Sequence, residues 1–367
     1  MSKRNSSEFI FVHLLNDFSG SPKVLSQVVR AVQSKNSEIA LYTGNQTNGF
    51  LSNLTPNHQN FSYRRFENRY FTLFSFLFSQ AILFVKLLKY WRKDVTIYVN
   101  TMLPFGAALA GKLMRKPVIY HIHETTITPP GLKLFLRKVI RFTSQKNVFV
   151  SHSVKNLESF DGLSQSVVYN ALPSNFAETT VNHVYSPFCT GKFNVLMISS
   201  MKAYKGVFEF IEIARKLQNK EEITFTLVLN ASQEEIDAFF EKIVLPSNII
   251  FFPQQADVIP FYGNASLVLN LSRIDECLET FGLTILEALS FGIPVIVPPV
   301  GGPSEIVIDG KEGYLISSYQ IDAIAEKIAF LSQNPETCLE LSRNAKERSF
   351  DFREDKFTVE ILKFLNV

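Results

Sequence analysis

"ETFGLTILE", residues 279 to 287, places a glutamate just ahead of an apolar run, a glycine three residues later and a second glutamate eight positions on. An ordinary amphipathic helix needs none of this. The stretch follows the apolar run "LVLNLS" (267–272) and precedes "IPVIVPP" (293–299), so it reads as a loop and helix carried between two buried strands. The pattern predicts a helix from about Gly282 to Phe291. Glu279 then lies at its N-terminus, where the backbone N–H groups of Phe281, Gly282 and Leu283 have no helical partner and can face an anion, and Gly282 lets that anion come close. Glu287, about two turns along on roughly the same side, offers a carboxylate to vicinal hydroxyls. An anion held between two carboxylates makes chemical sense when the ligand also carries hydroxyls at both ends, as a nucleotide sugar does. Taken bare, the spacing fits a helix N-terminal acid followed by a surface acid better than a ligand site, and what surrounds it decides.

Working outward, apolar runs alternate with helix-length segments throughout the chain. The runs are "EFIFVHLL", "EIALYTG", "VTIYVN", "PVIYHIH", "NVFVSH" and "VVYNAL", then "NVLMISS", "ITFTLVLN", "NIIFFPQ", "LVLNLS" and "IPVIVPP". Helical patterns fall at 22–34, 71–90, 131–143, 206–219 and 232–242. Near-continuous apolar strands between helices imply parallel sheets covered on both faces, hence two doubly wound α/β domains in tandem. Polar and turn residues at 172–193 mark the boundary. In open α/β sheets ligands bind beyond the carboxyl ends of the strands, so the chemistry belongs in those loops.

Composition limits the alternatives. With 367 residues, 46% hydrophobic and 19% charged, the chain is a folded protein of two or three domains, neither disordered nor fibrous. Cys189, Cys277 and Cys338 are odd in number, far apart and without metal spacing, which argues against a disulfide framework and a zinc site and for a reducing compartment. The N-terminal "MSKRNSSEFIFVHLLND" reads as a first strand rather than a signal peptide. "YFTLFSFLFSQAILFV" (70–85) is uncharged, but it is shorter than the roughly 20 residues of a spanning helix and carries Ser75, Ser79 and Gln80, so it is not expected to span. Charge is uneven: residues 1–190 carry 21 Lys and Arg against 9 Asp and Glu, and the remainder carry 16 against 25. The basic half holds no recognised nucleic-acid-binding motif, and an anionic surface is the partner its charge suits.

The stretch "LSFGIPVIVPPVGGPSEIVIDGKEGYLI" (289–316) adds a buried strand, a Gly301-Gly302-Pro303 turn, a short helix with Glu305 and a turn at Gly310 and Gly313. With it, residues 266–316 resemble the donor-binding half of retaining glycosyltransferases of family 4, the "glycosyl transferases group 1" type with the GT-B fold, and the resemblance extends more loosely over nearly the whole chain. It implies two Rossmann-like domains facing a cleft: residues 1–180 for the acceptor, 190–348 for the nucleotide sugar, and a C-terminal helix within 349–367 crossing back onto the first domain. It implies that Glu287 holds the ribose and that Glu279, with the amides of Phe281, Gly282 and Leu283, holds the donor sugar and phosphate. "SSMKAYKGVFEFIEIARKL" (199–217) matches the first strand-to-helix turn of the donor domain, with Lys205 neutralising the diphosphate. The family's arginine five residues earlier is Ser200 here, so Lys202 or Arg273 is expected to compensate; Lys202 also reads as a solvated loop residue. "LLNDFSGSPKVLSQVV" (14–29) resembles the family's glycine-bearing loop, with Gly20 and Ser21 approaching the donor, and reads equally as a plain turn with Ser21 as N-cap and Pro22 at N1. In "VIYHIHETT" (118–126), His123 matches the histidine that reaches into the cleft, while His121 is taken as structural.

No D-x-D triplet occurs, and the residues suggest no metal site and no cofactor beyond a UDP- or GDP-linked donor. The expected activity is transfer of a sugar with retention to a glycan or polyprenyl-linked acceptor in surface polysaccharide synthesis. A nucleotide-sugar 2-epimerase of the same fold and a non-catalytic sugar-binding scaffold are the alternatives. Lys133, Arg137 and Arg141 recur every four residues as a basic ridge, and "KLLKYWRK" (86–93) adds four basic residues and Trp91; both suit the inner face of a cytoplasmic membrane, or simply a solvated surface.

Overall fold

The computed structural model describes residues 8–44 and 48–367; the basic start, residues 1–7, lies outside them. Two compact units emerge: Met1–Asn170 with Glu354–Val367, and Ala171–Arg353. The first unit is built on β1 (Glu8–Val12), β2 (Ile39–Gly44), β3 (His58–Phe61), β4 (Val95–Asn100), β5 (Val118–Ile122), β6 (Lys146–Phe149) and β7 (Ser164–Val167). The second is built on β8 (Phe193–Ser199), β9 (Ile223–Leu229), β10 (Ile249–Phe252), β11 (Leu267–Leu269), β12 (Val295–Val297) and β13 (Gly313–Leu315). Both sheets are parallel, in the orders β3-β2-β1-β4-β5-β6-β7 and β10-β9-β8-β11-β12-β13. Each therefore winds outward in two directions from its first strand, the doubly wound arrangement.

The central strands show why the alternation was legible. β1, β2 and β5 are buried along their whole length, and apolar side chains must fill both faces of a covered parallel sheet. Edge strands escape this constraint. β3 ("HQNF") and the three-residue β13 were not expected, and β7 is Ser164–Val167 rather than the apolar "VVYNAL", from which Leu172 makes only an isolated bridge to Arg353. β3 and β7 are half-exposed, so no continuous apolar run marks them, whereas β10, exposed to a similar degree, still carries the apolar "IIFF" that made it legible.

The units divide at 170/171 and 353/354, not at 180–190 and 348/349. The linking segment packs into the second unit, where the buried Tyr185 hydroxyl donates to Ser266 O at 2.7 Å and Ser266 Oγ donates to Pro187 O at 2.5 Å. The helix Glu354–Leu365 lies on the helix Gly20–Gln33 of the first unit, burying Phe357, Ile361, Leu362 and Leu365. Ser21 is not an N-cap: that first helix begins at Gly20, with Ser19 ahead of it.

The basic ridge is not a solvated row. Lys133 Nζ lies 2.5 Å from Glu158 Oε1 and Arg137 binds Glu158 Oε2, so two of its three charges close on one buried carboxylate. The physical reason is that Glu158, on the helix His152–Glu158, is buried and needs compensating cations. Replacing Lys133 and Arg137 together by Met, which strands the buried Glu158 carboxylate, should therefore lower stability by roughly 3 kcal/mol, the typical cost of leaving a buried charge without its partner. A denaturant titration checks this; a variant matching the parent midpoint and slope would mean the cluster contributes nothing.

Candidate functional site

In the second unit β8 and β11 are neighbours, and their chains leave the sheet in opposite directions, which opens a crevice at their carboxyl ends. The loop after β8 closes in a single 3-10 turn, Ala203–Lys205, and the loop after β11 carries Ser272 and Glu279. Lys205 Nζ donates to Glu279 Oε2 at 2.7 Å, and Ser272 Oγ donates to the same oxygen at 3.3 Å. Burial disfavours the charge on both partners, yet their attraction and hydrogen bond prevail: the Glu279 carboxyl is held below the usual range and the Lys205 ammonium above it. The pair is thus a fixed zwitterion whose ammonium retains further donor capacity.

The loop is set from beneath by glycine. A Cβ on Gly302 would lie 2.2 Å from Phe281 Cα, and Gly302 N donates to Glu279 O at 2.9 Å, so the Gly301-Gly302 turn is pressed flat against the backbone that presents Glu279. Gly282, with φ at 106°, then turns the chain into the helix Leu283–Ser290, a left-handed conformation that costs glycine nothing. Phe281 is buried, its ring 6.0 Å from that of Phe352. Glu287 sits within the helix, 7% exposed, and accepts from the Tyr262 hydroxyl at 2.8 Å. Burial first, then the Glu287 charge, pushes the Tyr262 phenol well up, so it stays a proton donor that orients the carboxylate.

The two candidates for the missing arginine differ. Arg273 is committed, with Nε donating to Glu209 and Nη1 to Glu276, each at 2.6 Å. Lys202 is exposed, its Nζ 5.6 Å from the Tyr204 ring, and its backbone N–H donates to Ser200 O.

In the first unit the reversal falls between β1 and β4. Here the structure joins residues that the sequence left separate. His123 Nε2 lies 2.9 Å from Asn100 Oδ1, Asn100 Nδ2 is 3.2 Å from His13 Nδ1 and from Ser21 O, and His13 Nε2 faces Ser21 Oγ at 3.5 Å. If the amide donates through Nδ2 and accepts through Oδ1, His123 is protonated at Nε2 and keeps Nδ1 as an acceptor. Gly20 opens the adjacent helix, exposed. His121 is fully buried behind His123, its Nδ1 2.8 Å from the Tyr98 hydroxyl, a structural position. Burial lowers His13 to about 4, His121 to about 3 and His123 well below its ordinary value. Glu124 accepts from the backbone N–H groups of Met102 and His123, both at 3.3 Å, and burial raises its carboxyl to about 7 despite them. Between Asn100 and Met102, Thr101 holds φ at 71°, a costly conformation for a β-branched residue at a strand end.

Asn100, His13, Glu124, Ser272 and Tyr262 were not read as site residues. Four of them stand at or just beyond strand carboxyl ends, and a polar residue closing an apolar run such as "VTIYVN" was the available signal; Tyr262 gave none. Among the described residues no group of three or more His, Cys, Asp and Glu is arranged to hold a metal ion.

Residues 182–348 match the family model described as Glycosyl transferases group 1. The chain is 23% identical to the capsular polysaccharide biosynthesis glycosyltransferase CapM of Staphylococcus aureus, over 78% of this chain and 79% of that protein. It is 24% identical to N-acetyl-alpha-D-glucosaminyl L-malate synthase of Bacillus anthracis, over 71% of each. A trehalose synthase of Pyrococcus horikoshii is 29% identical, but over only 42% of this chain and 39% of that protein. Among solved structures, HepE of Anabaena in complex with UDP and glucose superposes with a TM-score of 0.77 at 19% identity, covering 98% of this chain and 99% of that one. The fold is GT-B, two parallel-sheet α/β domains, and the stretch that matches the Glycosyl transferases group 1 model, residues 182–348, lies within the second unit.

The buried histidines carry a pH prediction. Their folded values lie below the unfolded one, so the unfolded chain binds more protons between about pH 4 and 6.5, and stability present above that window is lost on acidification. Glu124, raised to about 7, acts in the opposite sense and cancels about one of the three protons. Unfolding free energy should thus fall between pH 6.5 and 5 by roughly 1.4 kcal/mol per pH unit per net proton. His121→Gln should flatten the slope. Urea titrations across the window giving no slope would contradict the burial of this cluster.

Proposed function

We propose that this protein is a retaining glycosyltransferase of family 4 that moves a sugar from a UDP- or GDP-linked donor to a glycan or polyprenyl-linked acceptor in surface polysaccharide synthesis. The observation that carries the reading is the Lys205–Glu279 pair at the reversal of the second sheet, beside the N-terminus of the helix that bears Glu287. The relatives named for capsular polysaccharide biosynthesis and the neighbour bound to UDP and glucose support the substrate class.

In this reading the diphosphate lies against Lys205 and the amides of Gly282 and Leu283, with Lys202 rather than Arg273 as the second cation, since Arg273 is already neutralised by two carboxylates. Glu287, oriented by Tyr262, accepts from the ribose hydroxyls, and Glu279 accepts from a hydroxyl of the donor sugar. The acceptor oxygen bonds to the anomeric carbon on the face the diphosphate leaves, the glycosidic C–O bond breaks, and the acceptor proton passes to the departing phosphate. No enzyme nucleophile is needed. Gly20 and Ser21 approach the donor sugar, and neutral His123, with Nδ1 as acceptor, orients a hydroxyl. Fixed charges stabilise the leaving group without a divalent cation. Three free cysteines support a reducing, cytoplasmic setting.

Glu287→Ala should weaken donor binding by about 1.5 to 3 kcal/mol, the value of hydrogen bonds to a charged group, with the fold intact. Calorimetry against a panel of UDP- and GDP-sugars is the check; parental affinity in the variant would remove the ribose assignment. Lys202→Ala should weaken binding more than Arg273→Lys. EDTA should leave turnover unchanged, and activity abolished by EDTA and restored by Mg²⁺ or Mn²⁺ would overturn the metal-free leaving-group chemistry.

A further inference from the structure

The helix Arg69–Leu87 presents two faces of opposite use. Phe76, Ser79, Gln80, Leu83 and Leu87 dock into the first unit, where Gln80 Oε1 accepts from Gly106 N at 3.1 Å. The other face is apolar and open: Tyr70, Phe71, Phe74 and Phe78 are 67, 63, 69 and 57% exposed, and Leu77 and Val85 continue the stripe. Positions 70, 74, 78 and 85 recur at helical spacing, so this is one continuous surface. Leu134, Phe135 and Phe142, on the helix Pro130–Thr143, are exposed as well. Soluble proteins rarely leave a surface of this kind uncovered.

The rim is predominantly basic. Residues 62–94 hold seven basic side chains and two acidic, and of the seven Lys93 is already paired with Glu8 at 3.1 Å. Arg64, Arg65 and Arg69 cluster at the start of the helix, with the Arg64 guanidinium 5.3 Å from the Phe66 ring and that of Arg69 5.0 Å from Tyr70. At the far end stand exposed Arg92 and Trp91. Lys133 and Arg137 contribute little, since Glu158 takes their charge.

We propose that this face docks on an anionic bilayer, the helix lying in the interfacial plane with Phe71, Phe74 and Phe78 at the acyl boundary and the three arginines among the headgroups. Charge complementarity selects the occupant: an uncovered aromatic stripe with basic ends and aromatic residues at both ends suits anionic lipid rather than a second copy of a similarly basic face. The helix is the one among the described residues long and apolar enough to cross a membrane, but its docked face carries Ser79 and Gln80 and is fixed to the domain, which makes it interfacial. This inference stands apart from the donor chemistry.

Trp91 is the chain's only tryptophan, so its fluorescence reports on this surface alone. With vesicles of phosphatidylcholine and phosphatidylglycerol, its emission should shift to the blue and the protein should co-sediment, much less so on pure phosphatidylcholine or at high salt. A Phe71→Ser, Phe74→Ser, Phe78→Ser variant should lose partitioning on the order of tenfold or more, and an Arg64→Glu, Arg65→Glu, Arg69→Glu variant should lose its preference for anionic lipid. Circular dichroism melts check that both remain folded. No spectral shift and no pelleting of the parent on anionic vesicles overturns the proposal, as does equal pelleting of parent and serine variant. A concentration-dependent dimer that the serine substitutions abolish, without vesicle binding, assigns the face to self-association instead.

Discussion

The constraint on which the rest depends is the parallel pairing of β1 with β4 and of β8 with β11, the one place in each sheet where winding reverses. Everywhere else a loop leaving a strand is crowded by its neighbour's loop. At the reversal the two loops part, and polar side chains can converge without another chain above them. Asn100 meets His13 at one reversal, and Lys205 meets Glu279 across the other. Both units thus place a polar network at the same topological point.

Within the second unit, charges are matched before any ligand arrives. Lys205 faces Glu279, and Arg273 bridges Glu209 and Glu276. Such pairing keeps cations in a partly buried crevice at a lower cost than desolvating isolated ions. An incoming anion then competes with a carboxylate for the ammonium, which favours ligands that also offer hydroxyls to that carboxylate. Discrimination between a nucleotide sugar and a plain nucleotide would follow from this exchange.

Much of the fold was legible because buried parallel strands must be apolar on both faces; β1, β2, β5 and β8 stand out for this reason. β3 and β13 did not, since an edge strand of three or four residues needs no such pattern. Glu279, Glu287, Lys205 and His123 could be singled out through the family resemblance, which rests on short motifs and their order in the chain. Their partners could not: Tyr262 reaches Glu287 from 25 residues away, and Asn100 reaches His13 from 87 away, contacts that only the folded sheet creates. Charge counting misled for a related reason. The spacing of Lys133 and Arg137 is visible in the sequence, but the buried Glu158 that consumes them lies on another helix.

The helix Glu354–Leu365 completes the first unit although the whole of the second intervenes in the chain. During synthesis the strands of the first unit emerge before the second unit, but the apolar face of the helix Gly20–Gln33 that this segment covers stays open until residues 354–365 have followed. The nascent first unit is therefore incomplete while the second, contiguous from Ala171 to Arg353, already has all its parts. The second unit can thus mature before the first, and loss of the dozen residues 354–365 would be felt by the unit whose strands all lie on the far side of the second unit in the chain.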